Sequence, residues 1–317
     1  MNRLHLMRFS VLPGLFFVVL SWANPNQIIQ QERDPDFNFE VSQPVFGLGQ
    51  GPLVCVDEGH NNVHTATGRY RPFADLLRKD GYRVEAFSSS FSEDTLTRCT
   101  LLVIANALGQ EFSPEIRAFP HPSSFSRGEL DSLVSWIRKG GALLLFADHA
   151  PAPAAAGDLG ALLGVAMFDG YARGPGEFPD LFDRAQGTLA DHPISNGRNS
   201  EERVEAIATF AGQAFQLSQH FQPLLIFGEG SVAYFDFRHK LPDIPFQEWP
   251  RFSASGWSQG ASREWDSGRI VVLGEAGMCT AQLRGEKQNP MGMNHPKAGE
   301  NPQFCLNAVR WLTRVLP

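Results

Sequence analysis

The sequence predicts an α/β fold with a mostly parallel sheet and helices on both of its faces. Three observations predict it. Short apolar runs alternate with amphipathic segments at helical spacing, which is typical of parallel strands joined by right-handed crossovers. The apolar runs are unbroken, as in strands that are buried on both faces. Hydrophobic residues make up 43% of the 317 residues and charged residues only 19%, which is enough apolar material for a full core.

The predicted elements follow one another at regular intervals. We expect strands at 53–56, 82–87, 101–105, 142–147 and 269–273, and helices at 69–79, 127–139, 158–163 and 302–315. Ser126 and Glu129 form a capping box at the start of the second helix, and Gly140 and Gly141 end it. Residues 165–265 are less regular and rich in Gly and Pro, so we expect an irregular, antiparallel or loop-rich insertion there.

The first residues have the pattern of an export signal. Arg3 and Arg8 supply positive charge, residues 11–20 form an apolar stretch, and Ser21-Trp22-Ala23 resembles a cleavage site. An uncleaved anchor is the alternative, although the apolar stretch is short for a membrane span. We expect a periplasmic or secreted protein whose mature chain has no stable membrane span. The predicted segments are a signal peptide at 1–23, a linker at 24–49 and a single domain at 50–317.

Charge and cysteine content argue against two classes of function. The net charge is −7 and no basic patch is evident, so nucleic acid is not an expected partner. The four cysteines, Cys55, Cys99, Cys279 and Cys305, form no CxxC pair, which argues against a zinc ribbon. We expect buried thiols at Cys55 and Cys99, and an oxidising compartment would permit a disulfide between the other two.

Polar residues follow several of the predicted strands directly. They are Asp57, His60, His64, Asn106, Asp148, His149 and Glu275. Because the carboxyl ends of parallel strands meet at one edge of the sheet, where ligands of open α/β sheets bind, we expect one shared site. Asp148, His149, Glu275 and Asn106 are the candidate catalytic residues. Asp148 or Glu275 would act as general base or ligand, and Asn106 would donate to a developing oxyanion.

The cofactor is open, and a divalent metal such as zinc is one candidate. Asp57, His60 and His64 are its candidate ligands, and a bound metal would turn water into a hydroxide nucleophile. The alternative is that polar residues at strand ends only cap the next helix or bind loop backbone. The same alternative holds for four candidate substrate-binding residues, which are Asn61, Asn62, Gln282 and Asn294. The absence of GxGxxG and Walker motifs leaves dinucleotide and nucleotide hypotheses without support.

Several segments resemble the class I glutamine amidotransferase-like fold, and in particular an exported bacterial subgroup of it. They are DEGHNN at 57–62, GRYRPFADLL at 68–77, IANAL at 104–108, ADHAP at 147–151, ADHPISNGR at 190–198 and LGEAGM at 273–278. The sequence HPI followed by Gly also resembles a stretch of trehalose-utilisation-type domains. The resemblance spans roughly residues 50–316 and implies a flavodoxin-like sheet, with no settled activity.

One departure from that family bears on mechanism. In glutamine amidotransferases a cysteine follows the fourth strand, whereas residues 146–149 here are Phe-Ala-Asp-His, so a thiol-dependent glutaminase is not expected. We therefore predict an exported hydrolase that acts on a small or carbohydrate-like substrate. The alternatives are a non-catalytic ligand- or glycan-binding module, for which Trp249, Trp257 and Trp265 would form an aromatic platform, and a structural partner in an envelope complex.

Overall fold

The computed structural model describes residues 31–111, 121–235 and 248–317. The predicted signal peptide lies outside these residues. Within them, no helix combines the length and the apolar character that a bilayer span requires.

The described residues contain short strands throughout, and their α-helices lie between residues 71 and 196 apart from one at 301–312. The strands are β1 Gln31–Arg33, β2 Leu53–Asp57, β3 Arg83–Phe87, β4 Leu101–Ala105, β5 Ala142–Phe146, β6 Val165–Met167, β7 Tyr171–Arg173, β8 Asp180–Asp183, β9 Ala206–Thr209, β10 Phe215–Leu217, β11 Gln222–Ile226, β12 Val232–Tyr234, β13 Arg251–Ser253, β14 Ser258–Trp265, β15 Gly268–Leu273, β16 Ala281–Arg284 and β17 Asn289–Gly292. The helices are α1 Arg71–Lys79, α2 Glu93–Leu96, α3 Arg127–Arg138, α4 Ala152–Ala155, α5 Gly157–Leu163, α6 Pro193–Asn196 and α7 Asn301–Leu312.

The main sheet confirms the predicted α/β class. Its order is β3-β2-β4-β5-β15-β14-β10-β6, with β11 also paired to β14. The first five of these strands are parallel, and β14, β10, β6 and β11 are antiparallel to their neighbours. Counted in chain order, the parallel strands have the sequence 2-1-3-4-5, which is the flavodoxin-like order.

Helices cover both faces of this sheet, as expected. Along β2, Val54 and Val56 contribute to one hydrophobic core with α1 and α7, while Leu53 and Cys55 contribute to another with α3 and α5. This division follows from the alternation of side chains along a strand. The predicted capping box is present, since Ser126 and Glu129 bond each other's backbone at the start of α3. The positive φ of Gly164 ends α5.

The predicted insertion is shorter than its sequence suggested. Strand β14 pairs with β15 over six residue positions and thus belongs to the main sheet. Its sequence, SQGASREW, lacks the apolar run that marked the other strands, because small residues fill its buried positions. Between β6 and β13, small antiparallel sheets do form, of order β13-β12-β7 and β8-β9. Residues 236–247 of the predicted insertion lie outside the described residues.

The described part of the predicted linker contacts the domain. Strand β1 pairs antiparallel with β16, the ring of Phe46 packs edge-on against Tyr82 at 5.2 Å, and the backbone of Val45 donates to Asp80. Scattered aromatic and aliphatic side chains make these contacts without a periodic pattern. Residues 31–49 are therefore attached to the fold rather than acting as a free connection.

The structure corrects one prediction about the cysteines. Cys55 and Cys99 form a disulfide rather than two buried thiols, because the segment that precedes β4 brings Cys99 beside β2. The second pair, left open by the sequence, is also joined, and it ties the 3₁₀ turn Gly277–Cys279 to α7.

Candidate functional site

The carboxyl ends of β2, β4, β5 and β15 lie side by side, because these strands are neighbours in the sheet. The chain changes from one face to the other between β2 and β4, which is the switch point where ligands of such sheets bind. The polar residues at this edge form two clusters. We call Asp57, His60, Asn62 and Glu129 the His60 brace. We call His64, Arg69, Tyr70, Asn106, Asp148, His149 and Glu275 the Asp148 cluster.

In the His60 brace both ring nitrogens of His60 face carboxylates. Nδ1 lies 2.9 Å from Oδ1 of Asp57 and Nε2 lies 3.0 Å from Oε1 of Glu129. A carboxylate only accepts, so both nitrogens donate and the ring is an imidazolium. Burial by itself would lower the pKa of His60, but the hydrogen bonds to Asp57 and then Glu129 raise it above 6.5. The rings of Phe91 and Phe125 pack against it.

The remaining atoms of the brace are also bonded. Asp57 accepts from the backbone of Gly59 and from the side chain of Asn62, whose own oxygen accepts from the backbone of His60. Burial raises the pKa of Glu129, but hydrogen bonds from Ser126 and His60 outweigh it and lower the pKa to about 2. A set of groups so fully paired fixes the loop after β2 to the start of α3 and has little capacity left for a ligand.

Asp148 follows β5 and is held by backbone on two sides. Its Oδ1 accepts from the backbone of His149 at 2.7 Å, and its Oδ2 accepts from that of Ala276 at 3.3 Å. Asn106, with φ 51°, accepts from the backbone of Asp148 at 2.9 Å. Asn106 orients Asp148 through this oxygen, and its predicted role as an oxyanion donor, which would use its amide NH₂, stays a prediction.

Glu275 follows β15 and is 1% exposed. Its two oxygens accept from the backbones of Gly277 and Met278 at 2.8 and 2.7 Å. Burial, followed by the charge of Asp148, raises its pKa well above 4.5, and burial likewise raises the pKa of Asp148. Two coupled carboxyl groups in a low-dielectric setting tend to share one proton. The pair can therefore hold an acid and a base together.

A tight loop closes over Glu275 from the insertion. The backbone of Phe210 lies near its carboxylate and acts to lower its pKa, and Gly212 approaches so closely that a Cβ there would lie 2.1 Å from the carbonyl oxygen of Gly274. Only glycine fits at that distance. The preceding Ala211 has φ 101°, a conformation that costs a non-glycine residue about 1–3 kcal/mol and is concentrated at functional sites.

His149 has one ring nitrogen engaged. Nδ1 lies 2.9 Å from the carbonyl oxygen of Ala150 and must donate to it. The neutral ring then carries its lone pair on Nε2, which has no hydrogen-bond partner among the described residues. The ring stacks on Tyr171 at 4.4 Å, and Tyr171 stacks in turn on Tyr234 at 5.5 Å. A half-buried imidazole with a free lone pair is suited to accept a proton.

His64 lies in this cluster and not with His60, although the two are four residues apart. Its ring stacks on Tyr70 at 4.8 Å, and the Tyr70 hydroxyl donates to the carbonyl oxygen of Ala276. Burial, followed by the charges of Arg69 and His149, lowers the pKa of His64 to about 3, so the ring is neutral. Its Nδ1 is buried without a hydrogen-bond partner among the described residues.

The predicted metal ligands are therefore not assembled as a set. Asp57 and His60 bond each other in the brace, while His64 faces Tyr70. Across residues 31–111, 121–235 and 248–317, no three His, Cys, Asp or Glu side chains are grouped so as to hold a metal. The loop after β2 is not helical, so the four-residue spacing does not bring the two rings together.

The predicted substrate-binding residues are placed in two regions. Asn61 has φ 50° and donates to the carbonyl oxygen of Leu108, and Asn62 belongs to the brace. Gln282 and Asn294 lie in the small sheet formed by β1, β16 and β17, where Asn294 donates to Asp34 and to the backbone of Gln282. None of the described hydrogen bonds of Gln282 or Asn294 reaches the Asp148 cluster.

Sequence reasoning missed several residues of both clusters. Arg69 and Tyr70 stand in the quoted segment GRYRPFADLL, where a polar pair just before a helix could have marked them. The local sequence marks Glu129 only as part of a capping box. Tyr171 and Gly212 come from the insertion, and no local pattern indicates that the fold brings them to this edge.

The three predicted tryptophans do not form a platform. Trp249 is buried against Tyr234, Trp257 packs on Phe168, and Trp265 lies under Arg263 at the end of β14. The aromatic rings beside the site are instead Tyr171, which stacks on His149, and Tyr234, which stacks on Tyr171.

Among the solved structures that resemble this chain, one supports the fold and two more are similar at a lower score. The mmIFT52 N-terminal domain matches with a TM-score of 0.55 and 13% identity, over 82% of this chain and 97% of that domain. A ThuA-like protein from Bacteroides uniformis matches with a TM-score of 0.45 and 13% identity, over 87% and 94% of the two chains. PurLQS from Thermotoga maritima matches with a TM-score of 0.43 and 13% identity, over 82% and 99%.

These likenesses concern the fold and not an activity, since all three identities are 13%. No protein-family model matches the chain, and no curated protein matches it. The class defined by the fold and its edge site is thus an α/β protein with flavodoxin-like strand order and no cysteine at the position after β5.

Proposed function

We propose that this protein is an exported hydrolase that acts on a small or carbohydrate-like substrate at the carboxyl edge of its parallel sheet. One observation carries the proposal. Two coupled carboxyl groups, Asp148 and Glu275, whose pKa values are raised, lie beside His149, whose Nε2 has no hydrogen-bond partner among the described residues. Titratable groups whose environments are perturbed in this way concentrate at catalytic sites.

The chemistry follows from the proton positions. Nε2 of His149 would take a proton from water as the water attacks the scissile bond. The protonated member of the Asp148 and Glu275 pair would give its proton to the leaving group, and the other carboxylate would stabilise the imidazolium. The cysteines at described positions are all in disulfides, so this mechanism uses no thiol.

The substrate class is supported by the aromatic wall beside His149. Tyr171 is half-buried and stacks on the buried Tyr234 with an interplanar angle of 6°, and aromatic rings beside polar groups are common in sites for small ligands. Export is supported by the signal-like pattern at 1–23 and by the two disulfides, since disulfides persist mainly in oxidising compartments.

The test is turnover by purified protein on a panel of chromogenic glycosides and esters. On any substrate that is cleaved, His149→Ala and Asp148→Asn should each lower kcat about 100- to 10,000-fold, the usual contribution of general acid–base catalysis. His220→Ala and Asp158→Asn are matched controls, because both residues are exposed, and they should leave kcat unchanged. Circular dichroism establishes that each variant is folded.

Thiol alkylation and chelation complete this test. Alkylation should leave turnover unchanged, because no cysteine takes part. Loss of activity on chelation, with recovery when zinc is added, would indicate a mechanism that uses a metal-bound hydroxide and not the metal-free acid–base pair. If both substitutions leave kcat intact in folded protein, the hydrolase proposal is wrong.

A second function is supported by the same aromatic wall, namely a non-catalytic module that binds a glycan. In that case Tyr171→Ala should abolish saturable binding to an immobilised glycan panel. Every chromogenic substrate should also remain uncleaved by the wild-type protein.

A further inference from the structure

Arg69 is a half-buried cation with no anionic partner in the described chain. It makes no ion pair or side-chain hydrogen bond with any described residue. Burial lowers its pKa, and no nearby carboxylate offsets that effect. Neither Asp148 nor Glu275 is paired with it. Removing a charge from water is costly unless another charge compensates it, so an arginine at the ligand edge of the sheet that is unpaired among the described residues indicates a compensating anion beyond them.

His64 provides a second, independent observation. It is 4% exposed and its Nδ1 is buried without a partner in the described part of the chain. An unpaired buried donor is rarer than an unpaired buried acceptor, so we place the proton of this neutral ring on Nε2. Nε2 also has no hydrogen bond to a described residue, and it is then a donor that still needs an acceptor.

The start of α1 adds a third contribution at the same place. Helix α1 has nine residues, its N-cap Tyr70 gives no side-chain hydrogen bond, and its first turn contains no acidic residue. The positive end of the helix dipole is therefore not compensated by a side chain. Arg69 directly precedes this N-cap, and Tyr70 carries the ring on which His64 stacks.

We propose that Arg69 and His64, at the start of α1, bind an anionic group of the ligand, either a carboxylate or a phosphate. Arg69 would form two parallel hydrogen bonds with that group, and Nε2–H of His64 would donate a third. The inference rests on the proposed function in taking this edge as the ligand site. It narrows the substrate class to acidic molecules, such as sugars that carry a carboxylate or a phosphate.

The test is isothermal titration calorimetry of the full mature chain at constant ionic strength. Acetate and inorganic phosphate probe the anion alone. Glucuronate and glucose 6-phosphate probe the anion on a sugar, and glucose is the neutral reference. The variants are Arg69→Gln, Arg69→Lys and His64→Phe, of which the last keeps a ring stacked on Tyr70. Arg71→Gln is the matched control, because Arg71 is 52% exposed and pairs with Asp75 on the surface of α1.

We expect wild-type protein to bind at least one acidic sugar more tightly than glucose. Arg69→Gln should weaken that binding about 10- to 100-fold. Arg69→Lys should weaken it less, because lysine keeps the charge but cannot form the two parallel hydrogen bonds of the guanidinium group. His64→Phe should weaken it by a smaller factor, and Arg71→Gln should have no effect. The ratio between glucuronate and glucose 6-phosphate identifies the anion.

Two results would overturn the inference. One is wild-type protein that binds no anionic probe better than glucose. The other is equal weakening by Arg69→Gln and Arg71→Gln, which would indicate only diffuse surface charge. Neither result affects the turnover losses expected for His149→Ala and Asp148→Asn, so failure of this inference is distinguishable from failure of the proposed function.

Discussion

The His60 brace and the Asp148 cluster lie at the same sheet edge and use the same residue types, yet they differ in hydrogen bonding. In the brace both nitrogens of His60 are paired with carboxylates. In the Asp148 cluster, His64, Arg69 and Nε2 of His149 have no hydrogen-bond partner among the described residues. The His60 brace, whose polar groups are hydrogen-bonded, joins two elements of the fold. The Asp148 cluster has polar groups without hydrogen-bond partners, and these can bind a ligand.

This difference shows that residue type and spacing do not identify a site at a strand end. By residue type and by position after a strand, Asp57 and His60 are as suited to metal or catalytic chemistry as Asp148 and His149. What separates them is whether the surrounding fold supplies their partners. Glu129 does so for His60 from a helix 69 residues further along the chain.

The largest effect on stability should come from breaking the brace. His60→Ala leaves Asp57 fully buried without its imidazolium partner, and removing one member of a buried ion pair costs about 3 kcal/mol or more. The free energy of unfolding, measured in urea, should fall by that amount, while His220→Ala should change it little. Near-wild-type stability of His60→Ala would show that the brace is not structural.

Neutralising one carboxylate in each cluster should give losses of different size. Asp148→Asn keeps the hydrogen bond from the backbone of His149 but turns an amide NH₂ towards the N–H of Ala276, whose bond is already long at 3.3 Å, so it should cost less than about 1 kcal/mol at pH 7. Glu129→Gln removes hydrogen bonds to a charged ring and should destabilise the protein by about 1.5–3 kcal/mol. The measurement is equilibrium unfolding of both variants, and equal losses would remove the distinction between the clusters.

A smaller loss is expected where the Asp148 cluster is tied to the core. Tyr70→Phe keeps the ring under His64 but leaves the carbonyl oxygen of Ala276 without the hydroxyl at 3.0 Å, which should cost about 1 kcal/mol. Thermal unfolding measures this loss. Tyr82→Phe, which removes a half-buried hydroxyl bonded to Thr313, is the matched control and should lose less.

The smallest effect is a pH window in the stability of the brace. The raised pKa of His60 adds stability that is complete below its unfolded value of 6.5 and is lost as pH rises through the folded pKa. The lowered pKa of Glu129 adds stability that is present above 4.5 and is lost as pH falls towards about 2. The difference in unfolding free energy between wild type and His60→Gln should thus be largest between these two unfolded pKa values.

Asp57, Glu129 and Asn62 are the polar groups that face His60 in this window, with Phe91 and Phe125 as its apolar neighbours. The range from about pH 3 to about pH 9 spans the unfolded pKa values of both Glu and His. A difference in unfolding free energy that stays constant over this range would contradict the ionic description of the brace.

The sequence by itself determined the parallel half of the fold. Continuous apolar runs, helical spacing and the capping box at Ser126 are local signals, and they located β2, β4, β5, β15 and α3 to within a residue or two. Because parallel strands end at one edge, these signals also indicated where Asp148, His149 and Glu275 would lie.

Only the tertiary structure decided which polar groups are paired, because the partners come from distant segments. Strand β14 forms through pairing with β15 rather than through its own polar sequence. The hydrogen bond from His60 to Glu129 joins residues 69 positions apart. The approach of Gly212 to Glu275 and the stack of Tyr171 on His149 join the insertion to the ends of β15 and β5. Long-range contacts of this kind leave no periodic trace in the chain, so the separation into brace and ligand site depends on the folded arrangement.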